Sequence, residues 1–279
     1  MIRAERKAEK EVEGSKMEIR LLNKDKKNAK VSFLLKGVMP SFANSLRRSI
    51  IAEVPTMAIE DVEFRKNSSV LYDEIVAHRL GLLPLKTDLE TYDMPDKCGC
   101  SKAGCAKCQV KMTLKAKGPC MVLASEIESK DPKIVPAFPN MPIVKLLKGQ
   151  ELEFEATAIL GRGKDHVKWS PGLAYYKYRP VVEIVKQPEN AEEIAKKCPV
   201  DVFEFKNKKL TIDKDNLMKC HLCGECAELS NGEIKINETS EDFIFEIESF
   251  GQLSCDEMVT KALDELGSDV EEFINLLKK

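Results

Sequence analysis

Apolar and polar positions alternate at Ile19 and Leu21 and again at Val31, Phe33 and Leu35, with a charged stretch at 23–28 between the two runs. Period-two alternation broken by a polar turn predicts a β-hairpin. The segment PSFANSLRRSIIAEVP then places Phe42, Leu46 and Ile50 at helical spacing, with Pro40 and Ser41 at its start and Pro55 beyond its end. These signals predict a short amphipathic helix. Toward the C-terminus EDFIFEIESF alternates as a strand, and Ser254 and Glu257 then form the S-x-x-E pattern of a capping box. Met258, Ala262, Leu266, Val270, Phe273 and Leu277 continue at three-to-four spacing, so a long amphipathic helix is expected to close the chain. Its apolar stripe is longer than one short helix covers, which points to a partner surface.

In the middle of the chain ELEFEATAIL alternates at Leu152, Phe154, Ala156 and Ala158 and reads as a strand. LTIDKDNLMKC and NGEIKINE read as short strands and turns. Residues 1–16 carry mixed charge without an apolar stripe and are expected to form a loosely ordered extension, with Met17 an alternative start. There is no internal repeat and no low-complexity tract.

With 279 residues, 43% of them hydrophobic, the chain has enough apolar material for a sizeable core and for two or three modules. Lys and Arg total 44 against 46 Asp and Glu, a formal net charge of -2. Bulk electrostatics therefore give no drive toward nucleic acid. No apolar run approaches the roughly 20 residues of a membrane-spanning helix, and the N-terminus is charged. A cytoplasmic protein without membrane contact is expected.

The ten cysteines change the picture. Without a secretory signal they argue for metal ligation rather than disulfides, because cytosolic thiols stay reduced. Cys98, Cys100, Cys105 and Cys108 form a C-x-C-x4-C-x2-C loop in which four thiolates can converge on one tetrahedral ion, with Zn²⁺ the usual occupant. Cys198-Pro199 is followed by Cys220, Cys223 and Cys226 in a C-x2-C-x2-C run. Bacterial-type ferredoxins repeat C-x2-C-x2-C-x3-C-P, and the fourth cysteine of each run serves the other cluster. Here the first run keeps only its C-P, with Pro188, Ala191 and Ile194 at its other cysteine positions, and the second has Ser230-Asn231 where C-P would stand. One complete site and one erased site remain, so a single [4Fe–4S] cluster is expected, with a second zinc site the alternative. Cys120 and Cys255 are left over and read as small buried apolar residues.

Other patterns carry less chemistry. His78 has no Ser or Cys partner placed by sequence, so packing or interface hydrogen bonding is expected of His78, Arg79 and Leu80. His221 reads as a neighbour of the second cysteine set rather than a ligand, and Arg47 and Arg48 as an interface pair rather than a phosphate site. Gly163-Lys164 superficially resembles a Walker sequence, but Ala158 and Asp165 stand where glycine and Ser or Thr are required. Asp213 and Asp215 are an isolated D-x-D in a Lys-rich turn. No catalytic residue is expected. An electron-transfer protein would explain the second cysteine set but not the amphipathic ends, and near-neutral charge disfavours a zinc-dependent nucleic-acid module.

SFANSLRRSIIAEVPTMAIEDVEF, DEIVAHRLGLLPL and KWSPGLAYYKYRP, in this order, resemble the motifs of the alpha-type assembly subunits of DNA-directed RNA polymerase. The ferredoxin-like cysteines point to the archaeal, D-type branch of that family. The resemblance covers nearly all of the chain from Met17 onward. It implies an α+β protein whose discontinuous dimerisation domain comprises residues 17–54 and 237–279. A strand-rich insert domain, 55–180, would carry the zinc-type loop at Cys98 to Cys108, and a ferredoxin-like domain, 181–236, the [4Fe–4S] cluster. It further implies a non-catalytic scaffold that pairs with the small alpha-like subunit L and contacts subunits N and P and the second-largest subunit. DNA is then met only indirectly through the complex.

Overall fold

The computed structural model describes residues 17–100 and 103–278. The expected extension at 1–16, and with it the question of the start, lies outside the described residues. The hairpin expected at the start forms from β1 (Glu18–Asp25) and β2 (Lys30–Lys36), followed by α1 (Pro40–Ala52). Next come β3 (Pro55–Asn67), α2 (Asp73–Gly81), β4 (Gln109–Lys117), β5 (Cys120–Leu123), β6 (Glu128–Ser129), β7 (Pro142–Leu146) and β8 (Glu151–Arg162). The chain continues through β9 (Gly172–Ile184), α3 (Ala191–Lys197), β10 (Phe203–Lys206), β11 (Lys209–Ile212), α4 (Lys214–Leu217) and α5 (Glu225–Leu229). It ends with β12 (Ile234–Ser249) and α6 (Cys255–Leu277). This is a mixed α+β chain rich in strands, and no described helix is long and apolar enough to cross a membrane.

The chain divides into two compact units. Among the described residues, one holds 17–24, Val31–Asn44 and Tyr175–Glu246. Most of a four-stranded sheet of order β1-β2-β12-β9 lies here, and aromatic rings bind it: Phe33 stacks on Phe245 at 5.2 Å, while Tyr176 and Tyr178 pack on Phe243 at 5.3 and 5.1 Å. Ile19 and Leu21 alternate as expected of a strand, yet both stay exposed, because β1 is the sheet's edge. NGEIKINE and EDFIFEIESF, expected as separate strands, form the single 16-residue β12. β9 and β12 run through the expected division points near residues 180 and 236.

The other unit holds Asp25–Lys30, Ser45–Ala174 and Ile247–Lys279. Its central sheet has the order β3-β8-β4-β6, all antiparallel. Leu152, Phe154, Ala156 and Ala158 are buried in its core, as their alternation predicts. The closing helix α6 starts at the expected capping box: the Glu257 amide donates to Ser254 Oγ (3.3 Å) and the Ser254 amide to Glu257 Oε2 (2.8 Å). α1 meets it through Ser49 Oγ, which donates to the Ala262 carbonyl (2.9 Å). Within α6, Met258 and Ala262 are buried as expected, but so is Glu265. Its carboxylate pairs with Arg162 of β8 (2.8 Å) and Lys261 (3.1 Å), which makes a buried acid tolerable.

Candidate metal centres and partner surface

The loop from Cys98 to Cys108 brings its four sulfurs within 4.8 Å of one another. Measured separations are 3.5 Å for Cys98 to Cys105, 3.6 Å for Cys100 to Cys108 and 3.8 Å for Cys105 to Cys108. Tetrahedral Zn–S bonds of about 2.3 Å require sulfurs about 3.8 Å apart, so the donor set fits one tetrahedral ion. The backbone builds this closure. Amides of Cys108 and Gln109 both donate to the Cys105 carbonyl (3.0 Å each), and Gly104 sits at φ 82°, where a side chain would strike Gln109. The Asp93 amide donates to the Lys107 carbonyl (2.8 Å), and Gln109 opens β4, so the loop is fixed to the core sheet at its C-terminal end. A hydrogen bond from Cys98 is the main influence pulling the Cys100 thiol down to about 7, while burial pushes Cys108 up to about 12.

The second set assembles from three places. Cys198 caps α3, Cys220 follows α4, and Cys223 and Cys226 flank the start of α5. Leu222 at φ 59° and Gly224 at φ 85° turn the backbone sharply between them. All four line one small pocket walled by Val182, Val200, Val202, Phe203 and Ile236. The Val202 amide points at Cys198 Sγ (3.4 Å). Burial raises Cys220 and pushes Cys226 up to about 11. The four residues standing where a second cluster's ligands would be are closed off: Pro188, Ala191, Ile194 and Ser230 are all buried. Ala191 and Ile194 belong to the local apolar core, and Ser230 Oγ accepts from the Ile234 amide (3.0 Å).

His221 lines the same pocket without being needed to complete the four thiols. Sequence reasoning missed Lys177 on β9, which is half-buried and donates to the Cys220 carbonyl (3.0 Å). No carboxylate lies within salt-bridge distance of it among the described residues, and burial lowers its basicity.

The remaining candidates resolve into structure. Asp213 caps α4 by accepting from the Asp215 and Asn216 amides, which explains the D-x-D. Gly163 lies against the Ile51 carbonyl and Lys164 pairs with Glu53 (2.7 Å), leaving no phosphate loop. His78 is exposed, Leu80 is buried and Arg79 donates to the Ile143 carbonyl (2.6 Å). Arg47 is half-buried and Arg48 exposed on α1. Cys255 is buried with its thiol donating to the Ala29 carbonyl (3.1 Å), whereas Cys120 is only half-buried.

The apolar stripe of α6 divides in two. Its first turns are packed, while Val270, Phe273, Ile274, Leu276 and Leu277 stand in solvent, Phe273 at 62% exposure.

Two comparisons place the chain. The family described as the RNA polymerase Rpb3/RpoA insert domain matches residues 59–172, which span β3 to the start of β9. Relatives similar over nearly the full length are each named DNA-directed RNA polymerase subunit Rpo3. The protein of Methanosarcina acetivorans is 40% identical over 267 residues, 94% of this chain and 98% of that protein. That of Pyrococcus furiosus is 40% identical over 266 residues, with the same coverage, and that of Thermococcus kodakarensis 37% over 255 residues, 91% of this chain and 96% of that protein. At this identity and this coverage, the chain belongs to the Rpo3 family of DNA-directed RNA polymerase subunits.

Proposed function

We propose that this chain is a non-catalytic scaffold of DNA-directed RNA polymerase that pairs with the small alpha-like subunit L to nucleate assembly. The carrying observation is α6: a helix whose first half is packed and whose second half holds five large apolar side chains in water. Such a stripe is energetically favourable only when a partner covers it. In this reading residues 17–54 and 237–279 supply the dimerisation domain, 55–180 the insert domain and 181–236 a ferredoxin-like domain. Subunits N and P and the second-largest subunit dock elsewhere on the chain.

Cys98, Cys100, Cys105 and Cys108 would hold one Zn²⁺ as a closed structural site, which their sulfur spacing supports. Cys198, Cys220, Cys223 and Cys226 would hold one [4Fe–4S] cluster, supported by the ferredoxin-type spacing and the shared apolar pocket. When bound, the cluster supplies a cross-link between distant segments and a one-electron redox centre. The chain's own residues line the pocket with apolar side chains and aim an amide at Cys198 Sγ, while Cys223 stays exposed. Affinity purification of the tagged chain from its native cells, with subunit identification and iron and zinc analysis, tests the proposal. Recovery of L and the large polymerase subunits is expected, and recovery of the chain with only a flavin or hydrogenase partner would overturn it.

A further inference from the structure

Lys177 is the unexplained charge beside the second cysteine set. Its ammonium is half-buried on β9 and donates to the carbonyl of Cys220. The titratable groups acting on it are the Cys220 thiol, one of the four that line the pocket, and Glu246. Glu246 is not within salt-bridge distance and instead accepts from Ser32 Oγ (2.9 Å). A cation withdrawn from water without an acid partner is costly unless another anion lies near. A [4Fe–4S] cluster on four thiolates is such an anion, and it gains one further negative charge when it accepts one electron.

We propose that Lys177 is the built-in counter-ion of the cluster held by Cys198, Cys220, Cys223 and Cys226, and that its charge sets the cluster's midpoint potential by favouring the reduced state. The inference rests on the cluster reading above. The alternative is that Lys177 merely ties β9 to the Cys220 turn by its hydrogen bond, and the two readings separate by substitution. Lys177→Gln keeps a donor for the Cys220 carbonyl but not the charge, Lys177→Met removes both, and Lys177→Arg keeps both.

The test is an anaerobic titration of the full chain with dithionite as the electron donor and mediator dyes, following the cluster's visible absorbance and the paramagnetic signal of the reduced state. Both neutral variants are expected to lower the ratio of reduced to oxidised cluster at a fixed potential by about tenfold, which is about 59 mV for a one-electron couple. Lys177→Arg should stay near the parent. A neutral variant with full iron content and an unchanged potential overturns the proposal. If both neutral variants lose iron and Lys177→Arg retains it, the counter-ion role stands through retention. If Lys177→Arg loses it as well, the role is positional and the proposal fails. Absence of iron from the unsubstituted chain would instead overturn the cluster reading itself.

Discussion

Phe273→Ala should weaken partner binding without weakening the fold. Phe273 retains 62% of its surface in water in the isolated chain. Fully burying a Phe side chain is worth about 1.5–3 kcal/mol, so covering what remains exposed contributes about 1–2 kcal/mol. At about 1.4 kcal/mol per decade, truncation should raise the Kd for the small alpha-like subunit about fivefold to thirtyfold. The side chain contributes little to the isolated chain, so urea unfolding should be almost unchanged. Met258→Ala is the control, because Met258 on the same helix is fully buried and its truncation should cost about 2–5 kcal/mol of folding stability. Isothermal titration with the purified partner gives the Kd, and equilibrium denaturation gives the stability. An unchanged Kd for Phe273→Ala, or a stability loss equal to its binding loss, would refute the assignment of the exposed half of α6 to a partner.

Three further outcomes are expected. Elemental analysis of the anaerobically purified chain should find one zinc, lost in Cys105→Ser with iron intact; no zinc in the unsubstituted protein would contradict the four-sulfur geometry. Cys220→Ser should lose iron, raise amide exchange across roughly residues 186–233, and slow assembly of the full enzyme, because the cluster closes a long loop, while pairing through α6 persists. Equal assembly by iron-free and iron-loaded chains would remove the scaffold role of the cluster. Burial holds Cys226 at about 11 and raises Cys220, so both are neutral thiols near pH 7 and each must release a proton to ligate. Iron uptake by the metal-free chain should therefore strengthen from about pH 7 to about pH 9, and a flat profile measured by chelator competition would count against that burial.

The sequence revealed those features that depend on local spacing. The capping box at Ser254 and Glu257, the alternation from Leu152 to Ala158 and the closure of the Cys98 loop each depend on residues a few positions apart, and all three appear in the structure. Features set by distant residues were not legible. Glu265 reads as a solvent-facing acid until Arg162, 103 residues away, is found against it. Lys177 reads as an ordinary strand lysine until the Cys220 turn folds over it, 43 residues on. Ile19 and Leu21 show the strand period, but period alone does not say whether a strand is central or at the edge. β12 appears in the sequence as two short pieces because its middle, Glu238 to Asp242, is polar, and only its pairing in the sheet makes it continuous.

Under the ferredoxin-like reading proposed above, the packing at the four positions of a second site has a consequence for the number of clusters the module can hold. Pro188, Ala191, Ile194 and Ser230 are packing and hydrogen-bonding elements, with Ile194 and Ser230 at 1% and 2% exposure. Reinstating a single cysteine there would place a thiol in closed space with no iron to bind. At Ile194 it would also leave a cavity, and at Ser230 it would replace the oxygen that accepts from Ile234 with a weaker sulfur acceptor. Each of the four steps back is disfavoured until all four are taken together. In that reading the module's own core resists a second cluster: accommodating one would require rebuilding the small module rather than introducing its cysteines one at a time.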